Sequence, residues 1–293
     1  MSNSVRARYY KAIFMLVTLL VFTDEMFYGT IVPLIPVYTK MLHLTSLTMG
    51  EIFAAYAIGL LLFSIPMGLI AQRCGYKRVF ICGMASLALS CVLFGFINSP
   101  LMLFFGRLVQ GISGAATWNA GFAVCARMYP KHQGQKIGVL MAVVGVGTIS
   151  GPPIGGMLYE LFGFHLMFIV LACFCLIQVF LLSFVHFGSL DNHPRNSARV
   201  SLRAVVGNQR LMWFCLIFII CTCSFGMLEV IIPNYMSVKF AANSFIIGLL
   251  FGIMGLCNAG SDYLFGMLSD RYGFMPFIFW GIIASALIVP CLH

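Results

Sequence analysis

Gly68-Leu69-Ile70-Ala71-Gln72-Arg73-Cys74-Gly75-Tyr76-Lys77-Arg78 is a short basic turn set between two long apolar runs. Its echo, Gly266-Met267-Leu268-Ser269-Asp270-Arg271-Tyr272-Gly273, lies 198 residues further on: position 68 maps to 266, 73 to 271 and 75 to 273. So long a spacing is no solenoid period. It suits the half-length of a duplicated helical membrane protein, whose halves pack about an axis along the membrane normal. The chain is therefore expected to hold one half and part of a second. Twice the spacing exceeds the 293 residues present by roughly three spans.

Composition agrees. Hydrophobic residues make up 61% of the chain and charged ones 9%, with a mean hydropathy of +1.00; a soluble domain carries about 25% charged residues. The apolar runs are each near the ~20 residues that a helix needs to cross a ~30 Å hydrocarbon core. Spans are predicted at 11–37, 47–71, 79–98, 100–125, 136–160, 164–187, 211–237, 245–269 and 276–293. The expected fold class is an all-α polytopic membrane protein of nine transmembrane helices: a six-helix bundle over 1–187, a cytoplasmic linker over 188–210, and an incomplete bundle of three helices over 211–293. The linker is polar and basic and contains Pro194.

The net charge of +9 does not point to nucleic acid, because the bases cluster at helix ends rather than along one face. With a cytoplasmic N-terminus, the inner loops carry Arg6, Arg8, Lys11, Arg73, Lys77, Arg78, Arg127, Lys131, Lys136, Arg195, Arg199, Arg203, Arg210 and Arg271. Only Lys40 and Lys239 fall outside, and Arg107 lies within the membrane. This asymmetry sets the orientation, and a multi-pass protein of the cell membrane is expected. The 11 cysteines lie almost entirely in apolar spans, where they serve as small core residues rather than disulfides. Cys173 and Cys175, like Cys221 and Cys223, point to different helix faces and make poor metal ligands. The basic start imitates a signal peptide, but no small-residue cleavage site follows, so it is kept as the first helix.

With the basic turn between the second and third spans, the sequence resembles the major facilitator superfamily, in particular its twelve-helix drug:proton antiporters. Four segments carry the likeness: the turn with its echo; Arg107-Leu108-Val109-Gln110-Gly111; Gly147-Thr148-Ile149-Ser150-Gly151-Pro152-Pro153-Ile154-Gly155-Gly156; and Thr23-Asp24 through Pro33 and Pro36. Leu228-Glu229 through Pro233 and Met236, with Met157-Leu158-Tyr159-Glu160, resemble the vesicular amine transporter branch. That branch has a long glycosylated first loop, whereas Tyr38 to Leu47 is short here, and Tyr56 stands where those proteins carry a lysine. The resemblance implies a C-terminally truncated relative of bacterial type.

Ionisable side chains at bilayer depth cost about 2.5–3.5 kcal/mol on insertion scales, so they persist where they face a partner or a wet cavity. Asp24 lies about 20 Å along its helix from Lys11 at ~1.5 Å per residue. Glu229 is its counterpart in the seventh span, four residues before Pro233. The two are expected to face each other across the seam between halves, where protons and a cationic substrate would compete for the same charge. A salt bridge that only holds helices together is the alternative. Glu25 points about 100° from Asp24 and ranks lower. Arg107, the only base at membrane depth, shares a face with Gly111, Gly114 and Trp118; a buried ion pair and a proton-relay role are both open, and the resemblance favours the relay. Tyr28, Trp118 and Tyr235 offer rings to an amine, although packing or an interfacial belt is the commoner use of any one of them, and Asn119 is a further candidate lining residue.

Gly147, Gly151 and Gly155 recur every four residues and give a face for close helix approach, bent at Pro152-Pro153. The resemblance adds that this element seals one side of the cavity in exchangers, together with Gly156. The two turns are expected to gate the inner side through Gly68, Gln72, Arg73, Gly75 and Arg78, and through Gly266, Asp270 and Arg271; Gln72 stands where the family usually has Asp. Glu51 with Thr48 predicts a capping box for the second span. Asp262 has no assigned role. The sequence holds no phosphate-binding loop, metal cluster or nucleophile–base pair, so neither catalysis nor a cofactor is expected.

The sequence thus predicts a monomeric, proton-coupled antiporter in the lipid bilayer, exporting small cationic or amphipathic organic compounds. A truncated fragment that inserts without transporting is one alternative, and a proton symporter or facilitator another.

Overall fold

In the computed structural model, residues 3–130, 132–185, 187–188, 209–272 and 281 are described. They form helices: α1 (Asn3–Thr30), a 3-10 turn (Val32–Leu34), α2 (Ile35–Met41), α3 (Ser46–Cys74), α4 (Tyr76–Gly95), α5 (Pro100–Met128), α6 (Gln133–Phe184), α7 (Gln209–Phe240) and α8 (Ser244–Tyr272). The 52-residue α6 is two helices joined at Gly163, whose φ of 73° and ψ of −179° belong to a region open essentially to glycine alone. With α1 and α2 taken as one broken span, this gives eight of the predicted spans. The ninth, 276–293, and most of the linker, 189–208, lie outside the described residues. Large apolar side chains such as Leu61, Phe180 and Val238 are exposed, as a lipid-facing surface requires.

The first span is not the continuous helix expected over 11–37. Pro33 and Pro36 lack the N–H that would continue the ladder, so α1 ends at Thr30 and a 3-10 turn, closed by Leu34 N–H to Ile31 O at 3.0 Å, leads into α2. The second span starts differently from the predicted capping box. Thr45, extended at φ −79° and ψ 160°, accepts the Thr48 N–H at 3.2 Å, so the cap sits three residues earlier and Glu51 is left exposed on the helix.

The 198-residue repeat is visible in the backbone. α3 begins at Ser46 and ends at Cys74; α8 begins at Ser244 and ends at Tyr272, in the same register. The corner before each helix holds a residue of positive φ, His43 at 50° and Ala241 at 51°. Each helix is then capped from the equivalent position, Thr45 for Thr48 N–H and Asn243 for Ile246 N–H.

Close crossings at small residues assemble the bundle. Gly59 of α3 meets the Leu108 carbonyl and Gly111 of α5, while Gly111 in turn lies against Tyr56 and Leu60. Gly83 of α4 abuts Ala116 of α5. An aromatic ladder runs from Tyr38 to Phe164 (5.4 Å), Phe168 (5.6 Å) and Phe94 (5.9 Å between centroids), joining α2, α6 and α4.

Candidate functional site

Polar residues converge where α1, α5, α6 and α7 meet. Asp24 is 2% exposed; its Oδ1 accepts from Ser113 Oγ at 2.7 Å, and its Oδ2 has no hydrogen-bond partner. Ser113 and Thr117 lie one turn apart on α5, and both are buried. Gly114 lets its neighbours close in there: a Cβ would stand 2.9 Å from the Tyr56 hydroxyl and 3.4 Å from Asp24 Oδ2. Burial of an unpaired acceptor costs about 1–3 kcal/mol, more for a charge, so the bare Oδ2 is the costliest feature of this cluster.

Glu25, ranked lower from the sequence, belongs to the same site. It is buried, with Oε1 accepting from Trp118 Nε1 at 2.7 Å and Oε2 from Thr148 Oγ1 at 3.3 Å. A turn of about 100° on α1 thus directs Asp24 to the Ser113 side of α5 and Glu25 to the α5–α6 side. Glu229 of α7 is also buried and accepts from the Tyr28 hydroxyl at 2.8 Å. Tyr28 is four residues after Asp24, on the same face of α1. Glu229 therefore approaches the face of α1 that carries Asp24, and each acid has its own donor.

Of the two uses left open for Arg107, the ion pair is not formed among the described residues. Its Nη1 donates to Gln110 Oε1 at 3.0 Å, while Nε and Nη2 have no partner. The fully buried guanidinium lies 3.8 Å from the Phe53 ring centroid and 5.3 Å from that of Tyr28. Desolvated cation–π contacts are each worth about 2 kcal/mol, which offsets most of the insertion cost of about 2.5–3.5 kcal/mol. An aromatic box thus does the work assigned to a carboxylate. The box also includes Tyr56, whose ring is 4.7 Å from that of Tyr28.

Other candidates fall elsewhere. Tyr235 is 44% exposed and its hydroxyl takes Lys239, away from the acids, because Pro233 and the outward face of α7 separate it from Glu229. Asn119 is spent on helix contacts, donating to the Ser64 and Ala115 carbonyls. Gly68 faces open space rather than a neighbouring helix, although α3 still meets α5 nearby, where Asn119 donates to the Ser64 carbonyl. Gln72 and Arg73 end α3, Gly75 turns the corner at φ 89°, and Arg78 is exposed in α4. Lys77 Nζ donates to the Ser183 carbonyl at 2.7 Å. Gly266, Asp270 and Arg271 lie in the last turns of α8; their side chains, and that of Asp262, are outside the described residues.

The glycine-rich limb of α6 packs on two helices at once. Towards α1, a Cβ at Gly147 would lie 2.9 Å from Glu25 Cβ, one at Gly151 2.9 Å from Gly29 Cα, and one at Gly155 2.6 Å from Thr30 Cα. Towards α8, Gly156 meets Ser244 and Phe245, while Pro152, Pro153 and Ile149 fill the face of Gly248, Gly252 and Gly255. The α8 glycines were legible at spacings of four and three but lacked a partner until the fold supplied one. Beyond this seam, at the end carrying Lys40 and Glu160, lies a cavity of about 500 Å³ lined also by Tyr159, Ser237 and Asn243.

Residues 14–293 match the profile of the Major Facilitator Superfamily. The chain belongs to that superfamily. It is 28% identical to the human MFS-type transporter SLC18B1 over 92% of its own length and 61% of that protein, and 28% identical to a probable vesicular acetylcholine transporter-B of Danio rerio over 85% and 53%. Identity to the synaptic vesicular amine transporter of Mus musculus is 25% over 90% and 51%. The chain thus spans between half and two thirds of these relatives. Among solved structures, a bacterial homolog of the human lysosomal transporter Spinster, inward-facing and unoccupied, superposes with a TM-score of 0.75 at 17% identity, covering 93% of this chain and 64% of the other. The nucleoside transporter NupG gives 0.71 at 13% identity over 89% and 68%. This member of the superfamily is a multi-pass helical membrane protein.

Proposed function

We propose that the chain is the larger part of a proton-coupled antiporter that exports small cationic or amphipathic organic compounds. The observation that carries this is Asp24: a buried carboxylate with one oxygen bonded to Ser113 and the other bare, beside two further buried acids, Glu25 and Glu229. A proton or an organic cation relieves the same uncompensated burial, so each excludes the other, and mutual exclusion at one site is what exchange requires. Aromatic rings at Tyr28, Tyr56 and Trp118 suit an ammonium ligand. Relatives whose names specify amines or acetylcholine support a cationic substrate class. The α6 packing against both α1 and α8 supports a closed outer side that keeps protons from leaking.

The test uses the full-length protein in inverted membrane vesicles, with an imposed proton gradient read by a pH-sensitive dye. Addition of a cationic amine should dissipate the gradient in wild type and fail to do so in Asp24→Asn. An Asp24→Asn protein that still exchanges protons for amine at the wild-type rate refutes the assignment. We further place the protein in the cell membrane as a monomer with its N-terminus inside; a periplasmic-type reporter fused after Lys40 should be active, and one fused after Arg73 silent.

A further inference from the structure

Tyr28 touches both the buried cation and the acid of the second half. Its hydroxyl donates to Glu229 Oε2 at 2.8 Å, and its ring lies 5.3 Å from Arg107 Cζ. The guanidinium has two donors without acceptors, Nε and Nη2, which one carboxylate would satisfy together in the bidentate geometry that arginine favours. What it has instead is Phe53 at 3.8 Å and the Tyr28 ring, itself braced by Tyr56 at 4.7 Å.

We propose that Tyr28 is a positioning residue that keeps Arg107 and Glu229 from pairing and lends Glu229 a hydrogen bond that a ligand cation must displace. The inference rests on the reading of the protein as a carrier of cations. A closed Arg107–Glu229 pair would neutralise itself and leave the acid nothing to offer. With the phenol interposed, one neutral donor holds Glu229, and an ammonium group competes with that donor for the same oxygen. Tyr28 belongs to α1 and Glu229 to α7, so the displacement also releases a bond across the seam. Occupation of the site and loosening of the two halves then become one event.

The test uses the purified full-length protein and benzylamine as the probe, titrated by calorimetry. Tyr28→Phe keeps the ring and removes the competing donor, and should bind benzylamine more tightly by up to about tenfold, the worth of one hydrogen bond. Tyr28→Leu removes the wall, lets Arg107 reach Glu229, and should bind at least about tenfold more weakly; adding Arg107→Gln to that variant should restore binding. Equal effects of Phe and Leu, or no restoration by Arg107→Gln, overturn the proposal. A readout without ligand separates it from the carrier reading: the infrared carboxyl band that disappears in Glu229→Gln should shift in Tyr28→Phe. If wild type binds no benzylamine, the carrier reading fails and this band decides the role of Tyr28 by itself. A band unmoved by Tyr28→Phe overturns that role; a shifted band upholds it.

Discussion

Replacing Gly156 by alanine sets a methyl group against the backbone of the other half of the molecule. The new Cβ would stand 2.9 Å from Phe245 Cα and from the Ser244 carbonyl carbon, where ordinary contact begins at 3.4 Å. Neither neighbour is a flexible side chain, so α6 and α8 must separate by at least about 0.5 Å, and strain of this kind costs about 1–3 kcal/mol. Because the contact lies across the seam, under the proposed exchange cycle and orientation the strain falls on the state closed at this end and is relieved when the halves part. The corresponding population shift is about 5-fold to 150-fold towards outer opening. Ser237 lines the outer cavity, so alkylation of Ser237→Cys by a membrane-impermeant maleimide reports that opening. The control is Gly145→Ala, on the same helix limb but with open space around its Cβ. Labelling should accelerate several-fold or more in the Gly156→Ala background and stay unchanged in the control. Equal rates in the two backgrounds would refute the claim that α6 seals the outer side against α8.

Other outcomes follow from the same geometry. Gly111→Ala should destabilise the first half by about 1–3 kcal/mol, seen as a lower melting temperature in detergent, since its Cβ would meet Leu60 N at 2.9 Å and the Tyr56 backbone; Gly59→Ala at the same crossing should not add to it fully. Phe53→Leu should cost about 2 kcal/mol through loss of the Arg107 contact, and Phe53→Tyr, which keeps a ring, should cost less on the same thermal assay. Gly163→Ala, at φ 73° and ψ −179°, should cost about 1–3 kcal/mol of backbone strain and lower the melting temperature without touching the acids.

The sequence displayed what is local or periodic. A repeated turn gave the duplication, and α3 and α8 keep its register at both ends. Asp24, Glu25 and Glu229 stood out because oil makes a carboxylate costly wherever its side chain points. The glycines of α6 stood out by spacing. What could not be read was which faces meet. Arg107 finds Phe53 and Tyr28 instead of an acid because α3 crosses α5 at Gly59, a fact of packing that neither helix encodes alone. Ser113 reaches Asp24 across a separate contact, that of α5 with α1. Gly68 looked like a contact residue by analogy with other small residues, yet its side of α3 faces open space. Glu51 and Thr48 formed a plausible cap by spacing, but Thr45 was already extended and took the N–H first.

The paired corners before α3 and α8 bear on how the protein might be handled in the laboratory. One is turned by His43 and the other by Ala241, at nearly the same left-handed φ, so the chain path imposes the conformation on whichever side chain happens to be there. Glycine at position 241 would remove about 1–2 kcal/mol of steric cost and give back about 0.4–1 kcal/mol as added freedom of the unfolded chain. The balance favours the folded state, and position 241 is not among the contacts of Asp24, Glu25, Glu229 or Arg107. Ala241→Gly is therefore a stabilising substitution for purification that leaves the chemistry alone.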